Sequence, residues 1–424
     1  MVSDRLDALL TLHPFTRLNA LLDGVAPGGP PLNMAVGEPQ LPPPPLVRAE
    51  IDAQARDWSR YPLAQGTAAF RAAVRDWLNR RFALPPDLID AERHVMPVAG
   101  TREALFHAAL AAVGARWEAL AARGLRPAVL VPDPVYHVYA GAAAVAGAEA
   151  VFMPATRETG FLPDPGALDP ALLERTAIAY VCSPANPQGA VADLAYLRRW
   201  IALARRHGFV MAFDECYCEI HDGVPPPGAL QAAALDGGGL DNLLVFHSLS
   251  KRSGAAGLRS GFIAGDARLV RRQAQLVNYG GVAVPYPILA ASTALWRDEA
   301  HVEAVRAHYR ANFDAAERIL DGRFGFCRPQ GGFFLWLEVG DGEAAARRLW
   351  AEAGLRVLPG GYMSRTDAAG RNAGAPYIRV ALVHETAVVA AALDRLVAVL
   401  ERNAPPPAAP RRSEAGARGA GPPA

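Results

Sequence analysis

The chain is 424 residues long, 51% hydrophobic and 20% charged, which is enough to bury a large core and to build one large domain with a smaller one beside it. Its net charge of +1 excludes a polyanion-binding surface, and no basic patch or motif points to nucleic acid as a partner. The four cysteines, Cys182, Cys216, Cys218 and Cys327, lack zinc-site spacing and are expected as reduced thiols of a cytoplasmic protein, with no metal, no apolar leader core and no membrane span.

From Leu6 to Val25 the apolar spacing predicts short amphipathic helix, broken at His13-Pro14 and closed by Gly24. The Pro- and Gly-rich stretch 26–45 is irregular apart from Met34-Ala-Val-Gly-Glu-Pro39, predicted as a short strand whose Gly37 lets a ligand approach the backbone. An ordinary turn explains that motif as well when it is taken alone. Tyr61 lies on an irregular segment before a helix predicted over 68–81, with Phe70, Val74, Trp77 and Leu78 on one face, so it is free to point outward. Val95 to Gly100 leads into Thr101-Arg-Glu103, a small-residue turn opening a helix that runs to about Leu120. Such a turn aims unpaired N–H groups at an anion, although simple capping also accounts for it.

Four apolar runs follow, at 128–131, 177–182, 209–213 and 243–246. They end respectively at Pro132-Asp-Pro-Val-Tyr136, Ser183-Pro-Ala-Asn-Pro-Gln-Gly189, Asp214-Glu-Cys-Tyr217 and the segment that carries Lys251. Helical patterns between them, such as 194–207, imply a mainly parallel sheet covered on both faces, with polar residues gathered along one edge. After Pro285 a long amphipathic helix over 288–319, interrupted near Arg297, carries the chain into the second domain. There 332–339, 355–358 and 377–383 read as strands. Arg379 sits among apolar neighbours in the last of these, where burial is costly unless an acid of the protein or of a ligand pairs with it. From Asn403 onward Pro, Ala, Gly and Arg dominate without an apolar period, and the tail is expected to be disordered.

Of the 43 Lys and Arg residues, Lys251 is the only lysine. Chance survival under a compositional bias explains this as well as function does, until its neighbours are considered. Lys251 follows a buried strand, at the edge where α/β sheets hold ligands, and a lysine of depressed pKa is a nucleophile towards an aldehyde whereas arginine is not. An aldehyde cofactor needs further groups. Asp214 suits a protonated ring nitrogen, Tyr217 and Asn186 suit a ring oxygen, and Tyr136 suits a ring face. Phosphate would meet the N–H groups near Gly100 and Thr101, the Ser248 and Ser250 hydroxyls, and Arg259, while Arg379 would clamp an α-carboxylate. Each has a plainer alternative: Asp214 as a helix cap, Tyr136 as a core aromatic, Arg379 as half of a structural ion pair. Together they favour a site.

Ala185-Asn-Pro-Gln-Gly189, Asp214-Glu-Cys-Tyr217, Ser248-Leu-Ser-Lys251 and Gly257-Leu-Arg-Ser-Gly261, in that order, resemble the class I/II, fold type I pyridoxal-phosphate aminotransferases, over about Gly37 to Val383. The resemblance implies pyridoxal 5'-phosphate as cofactor and an α/β fold. A large domain, 46–289, would hold a mainly parallel seven-stranded sheet between helices, and a smaller α/β domain would form from 1–45 and 290–402, followed by the tail 403–424. It implies catalytic roles for Lys251, Asp214 and Tyr217, a cofactor contact for Arg102, and substrate contacts for Gly37, Asn186 and Arg379. It further implies a cis bond at Asn186-Pro187 and a homodimer in which Tyr61 reaches the neighbouring subunit's cofactor phosphate.

Within the family, Ser59-Arg-Tyr-Pro62, His247 to Ser253, Gly257 to Phe262, Asp298-Glu-Ala-His-Val302, Val357-Leu-Pro-Gly360 and Ile378 to Val383 are similar to N-succinyldiaminopimelate aminotransferases. That likeness implies amino-acid and 2-oxo-acid substrates, with N-succinyl-LL-2,6-diaminopimelate and 2-oxoglutarate as the pair. The alternatives are an aminotransferase for aspartate, aromatic or alanine-type donors, a lyase or decarboxylase of the same fold, and a non-catalytic cofactor-binding regulator. Two stretches depart from the pattern, Gly254 in place of asparagine and Asn278-Tyr-Gly-Gly281 where substrate side chains are expected to be sampled. Arg17, Arg252 and Arg365 are the candidate readers of a distal carboxylate.

Overall fold

The computed structural model describes residues 13–402, so the expected start of the first helix and the expected disordered tail lie outside the described residues. In chain order the strands are β1 (Leu32–Asn33), β2 (Val95–Val98), β3 (Ala128–Asp133), β4 (Glu149–Pro154), β5 (Thr176–Cys182), β6 (Val210–Asp214), β7 (Leu243–Ser248), β8 (Gly261–Gly265), β9 (Phe334–Glu338), β10 (Leu355–Arg356), β11 (Leu358–Pro359) and β12 (Tyr377–Ala381). Seven of them form the central sheet in the order β2-β8-β7-β6-β5-β3-β4, parallel except for β8, which runs against both its neighbours. Every residue of β3, β5, β6 and β7 is buried, which is why these strands read as unbroken apolar runs rather than alternating ones.

Two apolar layers enclose that sheet. On one face lie Phe70, Val74 and Trp77 of the helix Ala68–Phe82 with Leu197, Trp200 and Ile201 of Leu194–His207 and Leu295 and Trp296 of Tyr286–Arg297. On the other lie Leu105, Ala109 and Ala112 of Thr101–Ala121 with Tyr139 and Ala142 of His137–Val145. A separate core gathers Phe313, Leu335, Leu349, Ile378, Leu393 and Leu396 around the antiparallel sheet β11-β12-β9. The N-terminal segment joins it, because β1 pairs in parallel with β10.

Two local expectations are corrected and a third, the interrupted helix, is met. The short strand lies at Leu32–Asn33, not at 34–36. Met34 still exchanges backbone hydrogen bonds with Arg356 and Ala381, but Asn33 Oδ1 then accepts from the Ala35 N–H at 3.1 Å and the chain bends, carrying Gly37 towards Lys251. The run 355–358 is divided at Val357 into β10 and β11, which belong to different sheets. The helix expected over 288–319 is two, Tyr286–Arg297 and Ala300–Leu320, and their break falls at Asp298-Glu299, close to the anticipated interruption. No helix of the described residues is long and apolar enough to cross a membrane, and no group of three or more His, Cys, Asp or Glu among them could hold a metal.

Candidate active site

The carboxyl ends of β5, β6 and β7 open into a cleft of about 520 Å³ closed from the opposite side by Gly37, Phe334 and Arg379. Gly37, Thr101, Arg102, Tyr136, Asn186, Asp214, Tyr217, Ser248, Ser250, Lys251, Arg259 and Arg379 all line it. Gly100 lies directly beneath Arg259, and Tyr61 stands apart, 99% exposed and outside the cleft.

Lys251 reaches the cleft through a tight local structure. Ser248, the last residue of β7, caps the short helix Leu249–Arg252 by accepting from the Ser250 N–H at 3.1 Å, and the turn that follows sends Lys251 inward and Arg252 into the core. Lys251 Nζ donates to the Gly37 carbonyl and lies 5.0 Å from the centre of the Phe333 ring and 5.9 Å from that of Tyr217. Burial lowers its pKa to about 8, opposed by the Cys216 thiol and reinforced by the Arg379 guanidinium.

Asp214 ends β6 and is 5% exposed. Its Oδ2 accepts from the Tyr139 hydroxyl at 2.7 Å and its Oδ1 from the Cys216 N–H at 3.3 Å. Tyr139 in turn stacks on Tyr180, ring centres 4.4 Å apart and planes 7° from parallel, which fixes the direction of its hydroxyl. Burial and the neighbouring carboxylate hold the Tyr139 phenol well above its usual range, so it remains a donor. Sequence reasoning missed Tyr139. The available signal was its place three residues after Tyr136, about one helical turn on. Tyr136 stands edge-on to Tyr139 at 5.5 Å and accepts from Arg102 Nε at 3.0 Å. Tyr217 is buried, edge-on to Phe333 at 5.4 Å.

At the mouth near β2 a guanidinium lies over a glycine turn and a helix start, groups of the kind that suit an anion. Gly100 has φ +85°, and a Cβ there would lie 2.0 Å from Arg259 Nη2, so only glycine permits the guanidinium to lie over the turn. Arg259 Nη1 donates to the Ala256 carbonyl at 2.9 Å, fixing the fork, and the 21-residue helix Thr101–Ala121 begins beneath it with its first N–H groups free of intrahelical partners. Cys216 Sγ lies 3.1 Å from Thr101 Oγ1, a neighbour that sequence reasoning also missed.

Arg379 sits in the middle of β12, 5% exposed. Its Nη1 donates to Asn186 Oδ1 at 3.1 Å and its Nη2 to the Ala35 carbonyl at 2.7 Å, while Phe334 lies against the guanidinium, 4.3 Å from ring centre to Cζ. Its Nε is buried without a partner, and no carboxylate of the described residues pairs with it. Burial brings its pKa down to about 10. A buried guanidinium facing a cleft without an acid is costly unless a ligand supplies the acid. Because Arg379 occupies Oδ1 of Asn186, the amide nitrogen is the end left to donate. The Asn186-Pro187 bond is cis, as the resemblance implied.

None of the three candidate readers of a distal carboxylate lines the cleft. Arg17 lies 3.8 Å over the Tyr362 ring and pairs with Glu343, Arg365 lies against Phe152, and Arg252 is buried on the far side of the lysine turn. The stretch Asn278 to Gly281 also lies outside its own chain's cleft, at the end of the helix Ala267–Gly280, because the Val282 N–H is tied to Glu103 at 2.9 Å on the outer side of Thr101–Ala121. Gly254 has φ +61°, the left-handed conformation that asparagine also tolerates, so this departure preserves the backbone. Phe15, Val36, Leu358 and Met363 give the remaining wall an apolar surface, with Glu38 and His137 beside it. His137, lowered to about 4 by burial and by nearby His13, is neutral there.

The family model for aminotransferase class I and II matches residues 30–396. The chain is 33% identical over 366 residues to the 4-dedimethylamino-4-oxo-anhydrotetracycline transaminase OxyQ of Streptomyces rimosus, covering 86% of this chain and 92% of that one. It is 31% identical over 398 residues to an LL-diaminopimelate aminotransferase of Desulforudis audaxviator, covering 92% and 95%. A crystal structure of an aminotransferase from Neisseria meningitidis superposes with a TM-score of 0.85 at 38% identity, over 92% of this chain and 97% of that one. With a lysine, a buried aspartate, a helix start and an arginine without an acid partner converging on one cleft, the chain belongs to the class I and II aminotransferases, which work with pyridoxal 5'-phosphate.

Proposed function

We propose that this aminotransferase moves the amino group of N-succinyl-LL-2,6-diaminopimelate to 2-oxoglutarate, in cytoplasmic lysine and diaminopimelate biosynthesis. The observation that carries the choice of substrate is the far wall of the cleft. Phe15, Val36, Leu358 and Met363 offer apolar surface, and among the described residues the carboxylates lining the cleft are Asp214, engaged by Tyr139, and Glu38 at an exposed position. A distal amine masked by acylation suits that wall, whereas a free ammonium would be desolvated with one acid to meet it. Free LL-diaminopimelate is the second reading, favoured by the Desulforudis relative and by Glu38.

The residues fit the cofactor. Gly100, Thr101, Arg259, Ser248 and Ser250 would hold its phosphate, Asp214 its ring nitrogen, Asn186 and Tyr217 its ring oxygen, Tyr136 and Arg102 its outer side, and Lys251 its aldehyde carbon. When bound, it supplies an electron sink for the pair left on the substrate α-carbon. Arg379 orients the substrate by its α-carboxylate. With the cofactor bound, Lys251 Nζ would be its tether and also the base that takes the substrate α-proton and later returns a proton. Tyr139 aligns Asp214 by donating to its Oδ2, and Asp214 would hold the ring nitrogen of the bound cofactor in its protonated form.

The working unit is a homodimer in this reading. Tyr61 at 99% and Tyr279 at 94% exposure, with Trp58, Leu63 and Val282, are large apolar side chains left in water, suited to a face on which Tyr61 enters the neighbouring copy's phosphate site. In this reading we take the crossover between domains at Asp298, supported by the packing on the large core of the helix Tyr286–Arg297, which spans the expected boundary at 289/290.

Purified, cofactor-loaded protein mixed separately with glutamate, N-succinyl-LL-diaminopimelate and LL-diaminopimelate should convert its cofactor with the first two and much more slowly with the third. Efficient conversion by LL-diaminopimelate and not by the succinylated compound would replace the first reading by the second. Arg379→Ala should lower kcat/KM for amino acids by roughly 10²–10³-fold, while the corresponding amine lacking the α-carboxylate reacts at its former rate. Equal losses on both compounds would remove Arg379 from the substrate clamp.

A further inference from the structure

Behind Lys251, on the side away from the cleft, the next two residues are held by an arrangement that the reaction does not require for contact with substrate or cofactor. Arg252, 2% exposed, donates from Nη1 to the Leu295 carbonyl at 2.7 Å, and from Nη2 to the Asp298 carbonyl at 3.2 Å and Glu299 Oε1 at 2.8 Å. Its guanidinium carbon lies 4.9 Å from the centre of the Trp296 ring and 5.6 Å from that of Trp77. Ser253, also buried, has its Oγ 2.8 Å from His301 Nε2. His301 Nδ1 meets Asp298 Oδ2, which also accepts the His301 backbone N–H at 3.1 Å. A carboxylate only accepts, so Nδ1 carries the proton and Nε2 of the neutral ring accepts from the Ser253 hydroxyl. Asp298 and Glu299 are the break between the helices Tyr286–Arg297, on the large core, and Ala300–Leu320, whose Phe313 and Leu320 belong to the small one.

We propose that Arg252, Ser253, Glu299 and the Asp298–His301 pair are positioning residues that couple the lysine turn to the crossover between the two cores, so that the place of Lys251 Nζ in the cleft follows the helix Ala300–Leu320. The geometry explains why arginine is required beside the lysine. Three donations in different directions from one plane, with indoles beside it, suit a guanidinium and no ammonium. Four residues of helix give Lys251 little rigidity of its own, and both side chains that follow it are fastened to the same short break.

This inference rests on Lys251 being the amine that holds the cofactor, and the two failures are distinguishable. The test uses cofactor-loaded Ser253→Ala, which loses one hydroxyl, and Arg252→Lys, which keeps the charge and loses the fork. Both are followed by steady-state kinetics, by the pH midpoint of the absorbance of the lysine-bound cofactor, and by thermal unfolding. Ser253→Ala is expected to lose about 10-fold in kcat and Arg252→Lys about 10- to 100-fold, with KM for glutamate within about threefold and the pH midpoint displaced by about half a unit. Folded Ser253→Ala with unchanged kcat and midpoint overturns the coupling, as does a variant whose unfolding temperature falls while both stay unchanged, since that is a structural role alone. If wild-type protein carries its cofactor on no lysine, the assignment of Lys251 fails and the coupling falls with it, whereas unchanged variants of a protein that does carry it on Lys251 overturn the coupling alone.

Discussion

Lys251→Ala is expected to lower transamination by about 10⁴-fold or more, and Lys251→Arg to do no better. In the proposed mechanism alanine removes both the group that takes the α-proton and the group that holds the cofactor, and arginine restores the charge without a basic nitrogen. The cleft prepares the amine for both tasks. With its pKa lowered to about 8 by burial, roughly a tenth of the amine is neutral at pH 7, against less than a thousandth for an exposed lysine. Single-turnover conversion of cofactor-loaded variants with glutamate separates this effect from weaker binding. Appreciable turnover by the alanine variant would remove Lys251 from the chemistry.

Asp214→Asn is expected to lower kcat by roughly 10²–10⁴-fold at saturating cofactor, with a much smaller effect on KM. The carboxylate stands at the end of a buried strand with one oxygen fixed by Tyr139 and the other by a backbone N–H, so an amide of the same shape fits the space. What the amide lacks is charge, and a neutral neighbour cannot keep a ring nitrogen protonated in a buried site. The loss therefore belongs to the proton-transfer step and should appear in single turnovers as well as in kcat. An asparagine variant within a few-fold of wild type would place the essential acid elsewhere.

How much of this was legible in the sequence followed from burial. The strands β3, β5, β6 and β7 are covered on both faces and so appear as apolar runs with no competing period. The edge strand β4 is only partly covered, β2 is four residues long and contains Pro97, and β8 is bounded by Gly261 and Gly265, so none of the three carries a clear strand pattern. At the site, residues that follow a strand end were visible because their neighbours in sequence are also their neighbours in space. Tyr139 was not, because its partner Asp214 lies 75 residues away and its only local signal, a place one helical turn after Tyr136, is shared with core aromatics. Arg252, one of three unranked candidate readers of a distal carboxylate, lies away from the cleft, and the sequence did not show it for a similar reason. In a four-residue helix, spacing does not say which of two adjacent cations faces the cleft, and two tryptophans from distant helices settle it. The charge of Arg379 was readable from its apolar surroundings, but the missing acid partner could be seen only once the strand was folded.

The most direct test is borohydride reduction of the cofactor-loaded protein followed by peptide mass mapping. Because Lys251 is the chain's only lysine, reduction should fix the pyridoxyl mass on the peptide that contains it, and on no other. A label on the N-terminal amine, or none at all in protein that still transaminates, would contradict the assignment of Lys251 as the residue that holds the cofactor.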